Sequence, residues 1–458
     1  MVVHINICIT IKLSKMADFV GDYSLKHVFL SNKDKILDIK ELIAEVNIYE
    51  SINSANISAD IVVSDNKNIL ESFPIVGGEF LTIYVGTNSD NYTLDFVVYK
   101  IDSKAIQEKS QVYILRLCTK DTITNETSRF SRRFKRKFSE TIVKDLLKNY
   151  IKTTKKIDVD QSIYPLNFVN PNWRIFDLIT WMARKSTSIK NVQSVGYLFY
   201  ETLQGYHYKS IDVLFSQRSK NENKPFTYVP AKTTTDADKN YRIVKYISES
   251  YFDVLEQSRM GALSHYTERI DFGSRTKTLT KSTLSSIWKH MSHLGGGNIP
   301  NHMDNEIFNQ PSRIIYTPII NQLFGESIVF DGDDDKINKL IDRSVYRYIS
   351  MDFFTINIEI PGNLGIRAGD VYTLNIPSPN PDSNANRNRQ TDNDLSGNWM
   401  CHSIKTQIGR TSATSIVRLC RDSVGGTKMP ITGTFAKSIN NVDRNIIDTE
   451  IRELKNIV

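Results

Sequence analysis

Apolar and polar residues alternate along much of the first third of the chain. Between residues 46 and 63, apolar side chains recur at every second position on both sides of a polar stretch from Glu50 to Ala55. A two-residue period is typical of half-buried strands, and the polar stretch has the composition of a turn. Three further strand-like segments follow before residue 121. The pattern predicts a first small antiparallel β-barrel over residues 16–128.

The spacing of apolar residues changes to that of helices after residue 129. Ser139 is a suitable N-cap for a run of apolar residues at helical spacing. Residues 170–186 repeat that spacing, with Pro171 near the start, where a proline is tolerated. Residues 196–215 have the pattern of two strands around a turn. We therefore predict an α/β domain over residues 129–222.

The second half of the chain returns to a strand pattern. We interpret residues 223–273 as a linker followed by the first strands of a second β-barrel, and residues 342–426 as its main part. Residues 274–341 have little periodicity and predict a loop-rich, partly helical insertion, and residues 427–458 predict a polar C-terminal tail. The predicted fold class is α+β and multidomain, with two small antiparallel β-barrel modules and one α/β unit.

Composition narrows the class of protein. The chain has 458 residues, 40% of them hydrophobic and 24% charged, which is enough apolar material to exclude a wholly disordered chain. No run approaches the roughly 20 apolar residues of a membrane-spanning helix, so we expect no direct membrane insertion. We expect residues 1–15 to be a leader or flexible arm before a native start at Met16, rather than a secretory signal.

Common catalytic motifs are missing from the sequence. It has no HExxH, GxSxG, GxGxxG or phosphate-binding GxxxxGK[ST] pattern. A hydrolase that uses two carboxylates has no such signature and stays open as an alternative. His290, His293 and His302 are the best candidates for a metal site, because an HxxH pair places two imidazoles on one face of a helix. Ordinary loop or surface histidines are the competing interpretation.

The four cysteines do not form the pattern of a disulfide scaffold. Cys401 and Cys420 lie at nearly equal distances from a predicted turn at Arg410 and Thr411. A strained cross-strand disulfide and a pair of reduced core thiols are both compatible with that spacing. The lack of CxxC motifs gives no support for zinc or redox chemistry, and the low cysteine content favours a reducing cytosol.

A basic run lies between residues 129 and 138. Phenylalanine recurs there at every fourth position, and the run contains six cations: Arg129, Arg132, Arg133, Lys135, Arg136 and Lys137. These residues are the candidate partner interface, because closely spaced cations pair with the carboxylates of an acidic protein. Two alternatives stay open, a helix lead-in with solvated charges and a nucleic-acid contact. The formal net charge of +7 permits an acidic partner without requiring one.

Three stretches of the sequence carry a resemblance to a known family. They are residues 48–83, residues 170–202, and residues 360–423, in which AGD, LNIP and LSG follow one another. The first stretch has residues at the family's expected places: Glu50, Asp65, Asn68, Leu70, Pro74, Gly77, Gly78 and Glu79. In order and spacing, the three stretches resemble the baseplate hub proteins of contractile-tailed, myovirus-type bacteriophages. That family is related to the hub half of the type VI secretion spike protein.

The resemblance implies a particular assembly. Hub proteins of this family form homotrimers in which each subunit contributes two small β-barrels, so that six barrels make a pseudo-sixfold ring. The ring is a symmetry adapter that joins the sixfold tail tube to the threefold central spike. The family is structural, so the resemblance implies no enzyme activity and no cofactor. It does not extend to the insertion or to the tail.

The resemblance also implies partners and a location. We expect contacts with the central spike protein, the tail tube protein and other baseplate proteins, and contact with DNA only in transit through the channel. The expected location is the tail baseplate of a virion, after synthesis and assembly in the host cytoplasm. The hub of a contractile injection or secretion machine is a close alternative, and a tail-associated cell-wall hydrolase is a further one.

Overall fold

The computed structural model describes residues 23–423 with internal gaps. The positions in that range outside the description are 34, 87–90, 108–109, 192–194, 230–239, 252, 297–305, 307–308, 319–322, 324–342, 379–390 and 411. The predicted leader and Met16, the predicted tail, His302 and much of the predicted insertion therefore lie outside the described residues.

Strands make up most of the regular structure. In chain order they are β1 (Ser24–Ser31), β2 (Ile36–Asp38), β3 (Ile43–Ser51), β4 (Ser58–Asp65), β5 (Phe80–Gly86), β6 (Asn91–Gln107), β7 (Ser110–Cys118), β8 (Arg129–Lys137), β9 (Ile157–Val159), β10 (Leu166–Arg174), β11 (Tyr197–Thr202), β12 (Gly205–Ser210), β13 (Phe226–Tyr228), β14 (Arg242–Ile243), β15 (Lys245–Tyr251), β16 (Ser264–Asp271), β17 (Thr276–Thr283), β18 (Ile314–Pro318), β19 (Phe354–Pro361), β20 (Val371–Asn375), β21 (Gly397–Gly409) and β22 (Ala413–Arg421).

The helices are short. They are α1 (Ile69–Ser72), α2 (Lys120–Thr127), α3 (Ser139–Asp145), α4 (Ile175–Ala183), α5 (Ile211–Phe215), α6 (Val254–Met260), α7 (Leu284–Trp288) and α8 (343–350). A 3-10 turn, Lys40–Leu42, precedes β3, and a π-helix, Leu146–Ile151, continues α3. Within the described part, none of the helices has the length and apolar character needed to cross a membrane.

The first seven strands form an antiparallel group. Each strand pairs with the next in the order β2-β1-β5-β6-β7-β4-β3. The alternating sequence decides which face is buried, since Ala59, Ile61 and Val63 of β4 are buried while the residues between them are half exposed. Leu115 of β7 and Ile83 of β5 join the same core. The strands and the turn predicted over residues 46–63 are therefore confirmed.

The second group of strands contains β13 to β15 and β19 to β22, and it is joined to the first. Strand β21 pairs with β20 and β22, and its residues 403–409 also pair with β3. All fourteen strands therefore form one sheet. The prediction of two separate barrels is confirmed only as two groups of strands with their own cores. The pairing covers one edge of β3 and one edge of β21. The alternation within a strand does not reveal which other strand will cover its edge.

The α/β group lies between the two β groups in the sequence. Its sheets are the pair β8–β10 and the three-stranded β11-β12-β9, and α3 and α4 contribute to the same core. The predicted hairpin within residues 196–215 is confirmed as β11 and β12, although its last five residues form α5. Helix α3 begins at Ser139, with Phe138 rather than Ser139 as its N-cap. The division of the chain into independent domains stays a prediction.

One helix boundary in this group is wrong, because residues 170–174 belong to β10 and the helix predicted over 170–186 begins at Ile175. The basic run at 129–137 forms the strand β8, which directly precedes α3. Residues four positions apart share a face in a strand as well as in a helix, so the phenylalanine spacing could not separate the two. Pro171 is tolerated because, in the described part, β10 pairs with a single strand.

The predicted insertion has more regular structure than its sequence suggests. Strands β17 and β18 flank β16 in a three-stranded sheet, and α7 follows β17. Helix α7 buries Leu284, Ile287 and Trp288 in the core of the second β group. The first four residues of β17 are all exposed, so this part of the strand has no buried face and its sequence does not alternate between apolar and polar residues. This explains why periodicity did not reveal it.

Candidate interaction surface

Strand β8 carries the six cations of the predicted interface, and its pairing with β10 fixes the direction of each side chain. Alternate residues of a strand point to opposite faces. Phe134 points into the α/β core, where it is buried and stacks on Phe168 of β10 with 5.1 Å between ring centroids. Arg132 lies on the same inner face. The outer face presents three exposed cations, Arg129, Arg133 and Lys135.

The inner cation Arg132 and the backbone of Arg136 are engaged within the subunit. Arg132 donates from Nη1 to Asp145 at 2.9 Å and to the Tyr150 hydroxyl at 3.5 Å. The hydrogen bond with Tyr150 and the charge of Asp145 raise the pKa of Arg132. Arg136 has a left-handed backbone, with φ 49°, and its N–H donates to Asn167 Oδ1 at 2.7 Å. The exposed cations of the predicted interface are therefore the outer row and Arg136, whereas Lys137 is half-buried.

The positive charges of the outer row are not paired with carboxylates within the described residues. Arg174 pairs with Arg129 in the β-ladder and forms salt bridges with Glu126 and Asp177. Among the described residues, none of the three outer cations forms a salt bridge. Val169, opposite Arg133, is 57% exposed and adds an apolar contact beside the charges. Such a surface can bind carboxylates or phosphates.

Buried Glu50 joins the two β groups to the α/β group. It lies on β3, and its carboxylate accepts hydrogen bonds from the backbone N–H of Leu203 at 2.9 Å and of Ala368 at 3.3 Å. Burial raises the pKa of Glu50, and the charge of buried Arg367 opposes that rise. One side chain of the family pattern therefore connects three parts of the fold.

A second buried glutamate, Glu201, strengthens the same junction. Its carboxylate accepts a hydrogen bond from the backbone N–H of Ile57 at 3.0 Å and one from the Thr119 hydroxyl at 3.3 Å, and it forms a salt bridge with Lys155. Burial raises the pKa of Glu201, against the effect of Lys155. The role of Glu201 could not be predicted from the sequence, because nothing in its local pattern distinguishes it from an exposed glutamate.

Two other carboxylates of the first family stretch hold loops in place. Asp65 accepts from the backbone N–H of Ile69 at 2.8 Å and of Lys67 at 3.0 Å. Glu79 accepts from the backbone N–H of Gly77 at 3.0 Å. Gly77 has φ 103°, a conformation that other residues rarely adopt. These residues shape the loops around α1 rather than forming a chemical site.

The AGD and LSG segments lie at the starts of β20 and β21 and fix the loops there. The N–H of Gly369 donates to the Cys401 carbonyl and the N–H of Cys401 donates to the Asp370 carbonyl, both at 2.8 Å. The Ser396 hydroxyl bonds both the N–H and the carbonyl of Ile376, at 3.0 and 3.1 Å. Both segments therefore attach a loop to β21 or to the end of β20.

The predicted histidine site is not assembled by the described residues. Helix α7 ends before His290, so the HxxH pair does not lie on one helical face. His293 Nδ1 bonds Asp422 at 2.8 Å and Nε2 bonds the Trp288 carbonyl at 2.9 Å, so both nitrogens are occupied. Across the described ranges, no three potential metal ligands come together. His302 lies outside those ranges.

The two C-terminal cysteines do not face each other. Cys401 pairs with Leu419 in the ladder, whereas Cys420 pairs with Met400, so the thiols point into different core clusters. Both are buried and free, and burial raises the pKa of each thiol well above its usual value. The hairpin prediction is confirmed, and the interpretation as reduced core thiols agrees with this register.

A buried charge cluster in the second half was also missed. Arg347 of α8 is fully buried and donates to Asp422 at 3.1 Å and to the Ser292 carbonyl at 2.8 Å. Its guanidinium lies 4.3 Å from the Phe215 ring centroid and 3.5 Å from Asp212. The cluster attaches the segment after α7 to α5, α8 and the end of β22. Its members are far apart in sequence, so no motif could have revealed it.

The comparisons with known proteins concern the fold. No family model matches the chain, and no curated protein matches its sequence. A tail protein from Neisseria meningitidis MC58 has a similar structure, with a TM-score of 0.52 and 10% identity over 88% of this chain and 98% of that one. The 43 kDa tail protein of prophage MuSo2 from Shewanella oneidensis is also similar, with a TM-score of 0.50 and 10% identity over 87% of this chain and 98% of that one. This chain has the fold of these tail proteins.

The predicted resemblance is therefore confirmed at the level of fold. A third similar structure is that of the E. coli c3393 protein, described as a component of the type VI secretion system with similarity to the T4 tail proteins gp27 and gp5. Its TM-score is 0.41 and its identity 10%, over 83% of this chain and 74% of that one. A score at that level adds no weight to the assignment, which rests on the two tail proteins.

Proposed function

We propose that this chain is a structural subunit of a phage tail baseplate hub, which assembles as a homotrimer and joins the sixfold tail tube to the threefold central spike. The observation that carries the proposal is the extent of the fold likeness. Two solved tail proteins match over 98% of their own lengths and over 87–88% of this chain. The likeness therefore includes the order of all three parts of the fold and not one common motif.

Two strand groups in each subunit suit a sixfold arrangement, because three subunits then contribute six groups. The second group has support for a barrel-like form. Residues 242–243 pair with β13 and residues 245–251 pair with β19, so one extended segment borders both ends of the group. The β3–β21 pairing and the Glu50 bonds hold the two groups at a fixed spacing, which a symmetry adapter needs.

Exposed apolar residues on open strands support contacts between subunits. Ile247 of β15 is 50% exposed, and in the described part β15 pairs with β19 alone. On the sheet of β16 to β18, Leu279, Ile314 and Tyr316 lie on one face and are all exposed. Apolar patches of this kind mark protein contacts, and a neighbouring subunit can cover an open edge.

We further propose that the protein acts without catalysis. The buried carboxylates of the family pattern bind backbone N–H groups or lysine, as Glu50, Asp65, Glu79 and Glu201 do, which gives them structural roles. Incubation with purified peptidoglycan tests this part of the proposal. Release of soluble sugar or peptide fragments, lost on substitution of a described carboxylate, would contradict it.

Negative-stain electron microscopy of the purified protein, alone and mixed with the tail tube and central spike proteins of the same source, tests the proposal. We expect ring-shaped averages with threefold symmetry and six peripheral lobes. Rings that bind the tube protein on one face and the spike protein on the other fit the adapter. Particles that bind neither protein would overturn the proposal.

A further inference from the structure

We propose that the open edge of β8 pairs with an acidic extended segment of a partner protein, and that Arg129, Arg133 and Lys135 select that segment by charge. The inference rests on the proposed function and deepens it, because it gives the chemistry of one contact between the hub and another baseplate protein.

The pairing of β8 leaves one edge for an added strand. Strand β8 pairs with β10 from Arg129, opposite Arg174, to Lys137, opposite Leu166. Within the described ranges β10 is its one strand partner. An unpaired edge presents backbone donors and acceptors, and an extended peptide can bind there by adding a strand. Nine residues give an edge of ordinary strand length.

The charges on that edge have the spacing of a strand. Alternate residues lie on one face about 7 Å apart, and residues opposite each other on paired strands lie about 5 Å apart. Arg133 and Lys135 are two residues apart, and Arg129 is four residues before Arg133 with Ser131 between them. Carboxylates at every second position of an added strand would face this row. A second copy of β8 would place cations opposite cations, which disfavours self-pairing.

The surroundings favour an acidic protein segment over nucleic acid. Single-stranded nucleic acid binds where bases can stack on aromatic rings beside the cations. Phe130 and Phe134 lie on the inner face, where Phe130 packs on Tyr150 at 4.6 Å between ring centroids. The apolar residue near the outer row is Val169, which has no ring. Trp173 of β10 is 37% exposed, but its ring packs edge-on against Trp181. The outer residues of β8 that the structure describes therefore offer charge and strand geometry without an aromatic ring.

A peptide in which glutamate alternates with threonine over eight residues is the probe, with binding followed by fluorescence anisotropy on the full chain. We expect Arg129→Glu, Arg133→Glu and Lys135→Glu together to weaken binding about tenfold or more, because three ion pairs become repulsive. A peptide with lysine in place of glutamate should bind this variant better than it binds the wild type. Hydrogen exchange should show added protection of β8 amides with the glutamate peptide.

Controls separate this inference from its alternatives. Lys120→Glu, Lys144→Glu and Lys148→Glu change three exposed cations of the same group by the same charge and should leave binding unchanged. Equal loss in both triple variants, or no loss in the β8 variant, would overturn the inference. So would tighter binding of duplex DNA than of the acidic peptide. Self-association of the β8 variant, with no peptide binding by the wild type, would show that the cations act only against aggregation.

The native mass of each variant keeps the inference distinct from the proposed function. Trimers of the β8 triple variant that no longer bind the glutamate peptide support the edge contact. A wild-type monomer that still binds the peptide at β8 would contradict the trimeric hub and leave the edge contact standing.

Discussion

At the scale of single residues, Gly369 of the AGD segment is fixed by contact as well as by backbone conformation. Its φ is 85°, and a Cβ built there would lie 2.2 Å from the Tyr200 hydroxyl oxygen. Gly397 of the LSG segment has φ 101°, but the nearest atom to its Cβ would be 3.9 Å away. A side chain at Gly397 would therefore add backbone strain alone, whereas one at Gly369 would add both backbone strain and steric overlap.

We predict that Gly369→Ala lowers the free energy of unfolding by about 3 kcal/mol and Gly397→Ala by about 1 kcal/mol. Both variants acquire the strain of a left-handed residue, and the first also forces the buried Tyr200 ring to move. Urea denaturation of the two purified variants measures the difference. Equal losses would show that the Tyr200 contact is unimportant.

His207, whose side chain is 15% exposed, gives a prediction about pH. Its ring stacks on Tyr200 at 5.0 Å, and burial lowers the pKa of His207 from 6.5 to about 4. Between these pH values His207 binds a proton in the unfolded chain but stays neutral in the folded chain. The contribution of His207 to the free energy of unfolding is therefore complete above pH 6.5 and is lost as the pH falls toward 4.

We predict that His207→Phe makes stability less sensitive to acid over that range, by on the order of 3 kcal/mol at most. Phenylalanine keeps a ring against Tyr200 but cannot take a proton. Burial also lowers the pKa of His265 and of His402, so part of the acid sensitivity should remain. Urea unfolding of the wild type and of His207→Phe at several pH values gives the two slopes. An unchanged slope in His207→Phe would refute the prediction.

At the scale of elements, the alternation along β8 separates a structural cation from exposed ones. We predict that Arg132→Ala lowers the free energy of unfolding by up to about 1 kcal/mol. The variant loses the salt bridge to Asp145 and the packing of the guanidinium over Phe134, where Cζ lies 5.3 Å from the ring centroid. The matched variant Arg133→Ala should change it by less than about 0.5 kcal/mol. Chemical denaturation compares the two. A larger loss in Arg133→Ala would mean that the faces of β8 are assigned the wrong way round.

The anchoring of the segment after α7 is a second property of elements. We predict that Arg347→Met costs about 3–5 kcal/mol, because it leaves Asp212 and Asp422 buried without their cation. Limited proteolysis should then cut near Ser292 before the sheets unfold. Resistance equal to that of the wild type would indicate that the α7 packing alone holds this segment.

The outcome for β8 also explains how far the sequence could predict elements. Strands with one buried face, such as β4, were predicted because apolar and polar residues alternate along their own sequence. Strand β8 was not predicted, because phenylalanines four positions apart suit both a helix and a strand. Strand β17 was not predicted either, because it is exposed and has no apolar face. Glu201 and Arg347 escaped prediction because their partners are distant in sequence. The cation row was found, but its division into inner and outer residues required the pairing with β10.

At the scale of the whole molecule, the order of parts could be predicted and their joining could not. The sequence predicted two strand-rich parts around an α/β unit, and the family resemblance predicted the fold that the two tail proteins share. The β3–β21 pairing and the bond between Glu50 and Ala368 connect residues more than 300 positions apart. Such contacts depend on the packing of complete modules, which local patterns do not encode.

Native mass tests the central claim most directly. Light scattering coupled to size exclusion, on the protein alone and mixed with the spike protein, should give about three times the 52.4 kDa mass of one chain, at least in the presence of the spike. The proposed trimer would close by repeating one contact around a threefold axis. A monomer in both conditions would contradict the account of this chain as a trimeric hub subunit.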